Sequence, residues 1–448
     1  MASRLAEMNM NCTSVVTSKN QTLNRGDSAS RLAVHTLAAC WLGMVFDGMD
    51  TNNYILTLHP ALKEILCTSS DAVIGSYGAG TLAIFMTGWA IGAFLFGLLA
   101  DHIGRARTLV YTVLLYAVCT GACAFVHHWH EFALLRFLVG CGIGGEISIG
   151  GVILAELWSS RSRLHATAFL QTGFPCGLLM LGAINLLIGH LGWRWLYIVG
   201  MLPAVLAIYM RVKLEDPDQF KLLRAQRKLL IAKPKSELTA VEKNMLRSPL
   251  SELFQLRNLG ETAIVAGLAS CVCIGAYAVL SWVPPWINQI TGTLAVSERS
   301  YAAVSQSLGS IVGCACAGLV VMRIGRRWAF RMAFLAAFAV CSAMFLTTKS
   351  FGFSLLVWSF LSGFFVFASF AYLFIYVPEL YDTKLRATAF AFCIQSGRLF
   401  SAGACLTAGY LVGHVFHGSY ALAGASMATV YLLGFAGTFF MPQSKGKL

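Results

Sequence analysis

The chain has 448 residues, of which 57% are hydrophobic and only 12% charged, and its formal net charge is +13. A soluble globular protein carries about a quarter charged residues, so the composition excludes a water-soluble domain and points to a polytopic helical membrane protein. The basic excess alone would suggest nucleic acid as a partner, but its placement along the chain, given below, excludes that reading. Most of the fourteen cysteines fall inside apolar runs, where cysteine behaves as a small apolar residue; neither a disulfide framework nor a zinc site is expected. Residues 1–30 are polar and lack the apolar core of a cleavable signal, so the first span is expected to stay in the mature protein.

Apolar windows of about 20 residues predict twelve spans, at 32–58, 78–100, 107–126, 132–157, 166–190, 194–212, 262–288, 300–321, 328–347, 353–377, 387–412 and 420–441. The implied organisation is a tail (1–31), a six-helix bundle (32–212), a polar central loop (213–259), a second six-helix bundle (260–441) and a short tail (442–448). Of the 33 lysines and arginines, Lys63, Arg194, Arg299 and Lys349 fall on one side and Arg136 and Arg398 inside spans; the other 27 lie on the side of the termini and central loop. By the positive-inside rule both termini are cytoplasmic, and the charge is topological.

The halves are related in sequence. Gly88, Gly92, Gly97, Gly104 and Arg105 recur as Gly309, Gly313, Gly318, Gly325 and Arg326, and Leu164–Phe169 recurs as Leu385–Phe390, all shifted by 221; Gly140/Gly363 and Glu156/Glu379 are shifted by 223. Parallel repeats with a substrate site at their interface are a transporter architecture.

In the first span, Asp47 and Asp50 are three residues apart and so share one helix face. An ionised carboxylate at bilayer depth costs at least ~2.5–3.5 kcal/mol. In the fourth, Arg136 precedes a glycine-rich run ending in Glu146, where small residues permit close helix packing. Arg136 and Glu146 can be a structural ion pair or functional charges. In the eleventh, Gln395-Ser396-Gly397-Arg398 places an arginine near mid-span, able to grip a carboxylate in a bidentate fashion or to neutralise Asp47, Asp50 or Glu146. By the repeat shifts, Arg398 falls on Gly177, Glu146 on Ser369, Arg136 on Ser359, Asp47 on Leu268 and Asp50 on Cys271. Folding residues should be kept in both halves, whereas an asymmetric substrate needs different chemistry from each; these unrepeated charges are therefore candidate functional groups.

Three further features have plain readings. His127-His128-Trp129-His130 suits an interfacial loop better than a metal site. Trp282-Val283-Pro284-Pro285-Trp286 predicts a kinked, aromatic-lined helix end or an interfacial anchor. The aromatics of the tenth span (Phe364, Phe365, Phe367, Phe370, Tyr372, Phe374, Tyr376) occur on every face, so most should pack or face lipid.

The turn Gly97-Leu-Leu-Ala-Asp101-His-Ile-Gly104-Arg105-Ala-Arg107, its copy at Gly318–Arg327 and the six-plus-six layout resemble the major facilitator superfamily over about residues 32–441. The resemblance implies an all-α membrane protein of twelve transmembrane helices in two pseudo-symmetric six-helix bundles. It also implies a conformational latch at Gly97, Asp101, Gly104 and Arg105; in the second copy Met322 stands where an Asp is usual. Asp47-Gly48-Met49-Asp50, Arg136…Glu146 and Gly397-Arg398 resemble its proton-coupled metabolite symporters, of the aromatic-acid and sialate/carboxylate types. That resemblance implies import of a small organic anion with protons by a monomer in a bacterial inner membrane, with no cofactor beyond the proton gradient. Arg398, Arg136 and Gln395 would bind substrate, and Asp47, Asp50 and Glu146 would couple protons. A sugar or polyol carrier, a drug exporter, or a non-translocating nutrient sensor are the alternatives. No Ser/His/Asp constellation, phosphate loop or HExxH motif suggests an enzyme.

Overall fold

A computed structural model describes residues 34–35, 37–157, 169–205, 209, 253–292, 295–381 and 383–442. The N-terminal tail, the C-terminal tail beyond residue 442, most of the central loop and the Leu164–Ala168 part of the repeat lie outside them. The helices are α1 (37–65), α2 (Asp71–Ile103), α3 (Arg105–Ala122), α4 (Trp129–Leu157), α5 (Gly173–Ile188) and the short α6 (Trp193–Val199). The second half contains α7 (Leu256–Ile274), α8 (Val283–Thr291), α9 (Val296–Ile324), α10 (Arg326–Thr347), α11 (Phe353–Leu380), α12 (Thr383–Tyr410), α13 (Tyr420–Met427) and α14 (Val430–Gly437). Among the described residues nine helical stretches are long and apolar enough to cross a membrane. The helix over 37–65 and α4 occupy the first and fourth predicted spans, and the sixth is described only to residue 205 and at Tyr209. Several helices outrun their apolar windows: α2 begins at Asp71 rather than 78, and α1 continues to 65. The hydrogen-bonded ladder does not stop where hydrocarbon does, because backbone groups stay paired within the helix beyond it.

The internal repeat is reproduced in three dimensions. A Cβ added to Gly88 would collide with the Phe137 carbonyl, and one added to Gly309 with the Phe360 carbonyl; Gly92 and Cys141 match Gly313 and Phe364 in the same way. From the facing helices, Gly140 lies on Phe85 and Gly363 on Gln306. These contacts lay α2 along α4 and α9 along α11, backbone on backbone. In lipid, where no hydrophobic effect drives helices together, such close approach is the main source of association. We expect Gly140→Val and Gly363→Val each to lower the midpoint of thermal unfolding in detergent, since overpacking costs about 1–3 kcal/mol; an unchanged midpoint in both would argue against this packing.

The turn after α2 repeats as well. Gly104 has φ +108° and Gly325 φ +79°, a region that favours glycine. Gly97, by contrast, has open space where a Cβ would sit. The side chains of Asp101 and Arg105 lie outside the described residues. In the second copy Arg326 forms an ion pair with Glu379, with Nη2 donating to Oε1 at 2.8 Å.

The halves meet through symmetric pairs, α2 with α12 and α9 with α5. Described hydrogen bonds between them lie toward the end bearing few lysines and arginines, hereafter the charge-poor end. There Asn185 Nδ2 donates to Ser300 Oγ (2.7 Å), Gln289 Nε2 to Asp71 Oδ2 (3.2 Å) and the Tyr420 hydroxyl to the Asp71 carbonyl (3.1 Å). The Trp282–Trp286 segment is kinked: α7 passes through a π-turn (Gly275–Val279) and a 3₁₀ turn before α8, the two prolines starting a new helix as proline does at a first turn. Both tryptophans are buried, Trp282 stacked on Tyr420 and Trp286 against Phe345. This overturns the interfacial-anchor alternative: the rings are core, not headgroup, residues.

Candidate functional site

Two cavities lie between the halves. The one nearer the charge-poor end has about 450 Å³ of empty space, its open mouth included, and is lined by Asn52, Leu56, Leu178, Ser281 and Gln306 among others. The second, about 430 Å³ on the same measure, is lined by Met44, Gln171, Cys314, Phe370, Phe374 and Arg398. Phe174, Tyr277 and Phe367 line both, and Phe174 and Phe367, one from each half, lie 6.0 Å apart between ring centroids. Three of the seven tenth-span aromatics thus line the second cavity, whereas Tyr372 and Tyr376 pack on Phe330. α11 carries aromatic rings around its whole circumference, so one face necessarily meets the interface.

Arg398 is the sequence-predicted residue that borders a cavity. It is 4% exposed, its guanidinium stacks on Trp89 at 4.2 Å, and Nη1 donates to Gln395 Oε1 at 3.1 Å. Gln395 therefore serves here as a partner of the arginine. Arg398 Nε has no hydrogen-bond acceptor, and neither does Gln171 Nε2 on the same cavity. A buried donor left unpaired costs about 1–3 kcal/mol, so this wall is set up for an acceptor to enter. Gln171 was not among the expected site residues. A signal existed: under the 221 shift it falls on Phe392, an asymmetry like that of the charged candidates.

The acidic residues separate into two groups. Asp47 is wholly buried with neither carboxyl oxygen hydrogen-bonded, and it feels Glu146, Asp50 and Arg398 electrostatically. The Glu146 carboxyl crosses from α4 to lie against Gly43, one turn of α1 before Asp47, with Tyr116 facing it; only a residue without a side chain leaves room there. Asp47, Glu146 and Arg398 thus form one neighbourhood, with Arg398 on its cavity side.

Asp50 belongs elsewhere. Arg136 Nη1 meets its two oxygens at 3.2 and 3.4 Å, Nη2 donates to its backbone carbonyl at 3.4 Å, and Thr120 donates to it at 2.5 Å. Arg136 and Asp50 are both fully buried. The guanidinium also lies over Phe85 (4.7 Å) and Tyr54 (5.5 Å). Arg136 lines neither cavity, and its carboxylate partner is Asp50 across the bundle rather than Glu146 on its own helix. The reason is axial: ten residues along a helix put Glu146 about 15 Å away, while α1 brings Asp50 beside Arg136. Removing one partner of such a pair costs about 3–5 kcal/mol. Arg136→Met is therefore expected to cut thermal stability sharply, and adding Asp50→Leu to restore much of it; no loss on Arg136→Met would sink the structural role.

Residues 40–392 match the family model described as Major Facilitator Superfamily. A Haemophilus influenzae protein named for metabolite transport is 30% identical over 414 residues, 91% of this chain and 95% of its own. A cis,cis-muconate transport protein of Acinetobacter baylyi is 26% identical, covering 90% of this chain and 94% of its own. In fold, the chain resembles the Escherichia coli xylose transporter XylE in an inward open conformation, with TM-score 0.71 over 93% of this chain and 98% of that one at 18% identity. With two related helical halves enclosing cavities at their interface and a family match across most of its length, the chain is an integral membrane transporter, not an enzyme, and belongs to the Major Facilitator Superfamily.

Proposed function

We propose that this protein imports a small organic carboxylate, of planar and unsaturated or aromatic type, together with protons. The observation that carries the reading is the pair of unpartnered donors, Arg398 Nε and Gln171 Nε2, on a cavity otherwise walled by Met44, Cys314, Phe174, Phe367, Phe370, Phe374 and Tyr277. A carboxylate matches the donors, and an arginine fork grips it bidentately. A flat apolar body matches the rings, whereas a polyol would leave hydroxyls there without partners. The muconate-transporting relative supports the same substrate class. Asp47, with no hydrogen bond to either oxygen, and Glu146 beside it are the proton carriers in this reading. A proton arriving on either removes a buried charge close to Arg398, which ties protonation to anion binding.

The protein works as a monomer in a bacterial inner membrane with its termini cytoplasmic, the basic loops inside. The hydrogen bonds at the charge-poor end then hold the two halves together on the outer face. The direct test is reconstitution into proteoliposomes with a panel of carboxylates under an imposed pH gradient. Accumulation of aromatic or dienoic acids, driven when the outside is made acid relative to the inside, is expected; accumulation of polyols in preference to every carboxylate would overturn the proposal. Ligand-dependent thermal stabilisation without any flux would instead favour a sensor.

A further inference from the structure

The charge-poor end holds a buried cation that substrate binding does not use. Arg299 lies in the first turn of α9 and is 4% exposed. A positive charge at a helix N-terminus opposes the helix dipole, and the hydrogen-bond partners of this guanidinium are carbonyl oxygens rather than a carboxylate. Its Nε donates to Ala295 O at 3.2 Å, one turn back, and its Nη1 to Leu56 O at 2.7 Å, in the other half of the molecule. The neighbouring Glu298 offsets the charge electrostatically, but the bond to Leu56 is the one that crosses between the halves.

The Leu56 carbonyl is available for a reason written in α1. In an α-helix the carbonyl of residue 56 accepts the N–H of residue 60. Residue 60 is Pro60, inside the helix over 37–65, and proline has no N–H. The orphan acceptor therefore points across the interface, and Arg299 fills it. Leu56 also lines the cavity nearer this end, so the contact sits at the edge of the route by which that cavity would open.

We propose that Pro60 and Arg299 form a clasp that biases the transporter toward closure of the charge-poor face. The clasp goes beyond the substrate reading and does not depend on which molecule is carried. When the face is shut, Arg299 satisfies the carbonyl that Pro60 has freed. When the halves part, the carbonyl and a buried guanidinium lose each other together. Substituting Pro60 by alanine gives Leu56 a partner within its own helix, so opening no longer strands the carbonyl and the bias weakens. Arg299→Met removes the donor and weakens the same bias by the other route. Because both act on one bond, their effects should not add.

The test reads opening without substrate. In a Cys67→Ser background, which removes the exposed cysteine among those described, Ser281→Cys places a thiol on the cavity nearer this end. The labelling rate by a membrane-impermeant maleimide is measured in vesicles exposing the charge-poor face. Arg299→Met is expected to raise that rate by about tenfold to a hundredfold, the worth of one hydrogen bond to a charged group. Pro60→Ala should raise it too, and the double variant should label like the faster single. Arg299→Lys, which keeps a point charge but not the fork, should fall between. Parent-rate labelling in Pro60→Ala, a variant that adds a helix hydrogen bond and removes none, would overturn the clasp even if Arg299→Met failed to fold. So would multiplicative rates in the double variant. A purely structural role would lower the unfolding midpoint and leave labelling at the parent rate.

Discussion

Arg398→Ala is expected to lower carboxylate uptake efficiency by between about thirty-fold and a thousand-fold or more, because truncating a desolvated, hydrogen-bonded charge costs about 2–5 kcal/mol. The guanidinium is held over the Trp89 ring and tethered by Gln395 on the wall of the cavity. Arg398→Lys should rescue little, since an ammonium keeps the charge but loses the planar fork. Gln171→Leu, removing the neighbouring unpaired donor, should cost less, on the order of tenfold, as befits one hydrogen bond from a neutral group to a charged acceptor. Initial-rate uptake in proteoliposomes measures all three. Near-parental uptake by Arg398→Ala would remove the substrate assignment, and thermal unfolding in detergent separates lost binding from lost fold.

Asp47→Asn is the second large effect. It should abolish accumulation driven by a pH gradient, leaving the internal substrate concentration equal to the external one, while counter-exchange of labelled for unlabelled substrate persists in part. An amide fills the same space but cannot take up and release a proton, so binding and conformational change survive and coupling does not. Because both Asp47 oxygens are unbonded, the substitution breaks no hydrogen bond of the fold, which makes it a cleaner test than neutralising Asp50, whose carboxylate holds Arg136 and Thr120. Glu146→Gln run in parallel decides between the two neighbours: retained accumulation in one and loss in the other assigns the proton to the second. Unaltered accumulation in both would leave the proposed coupling without a carrier.

The acidic candidates illustrate how far a linear reading extends. Asp47 and Asp50 look equivalent in sequence, three residues apart on a helix that must be buried. In the fold Asp50 is committed to an ion pair with Arg136, 86 residues away, and Asp47 is left with none. Nothing in the spacing distinguishes them, because the choice depends on how α1 is rotated against α4. The aromatics of α11 behave likewise: their composition was plain, but which of them face the interface follows only from its seating on α9.

By itself the sequence determined the membrane class, the two related halves, the basic and charge-poor ends, and the glycines on which helices cross. These follow from properties a chain carries locally, namely hydropathy, charge and the absence of a side chain, and the repeat gives each of them twice. Tertiary structure alone decided the partners: Arg136 with Asp50, Glu146 against Gly43, Arg398 and Gln171 on one cavity wall, and Arg299 on the carbonyl that Pro60 leaves open. Pairing between distant segments depends on helix rotation and crossing, which are set by the packing of all the helices together and written in no single one of them.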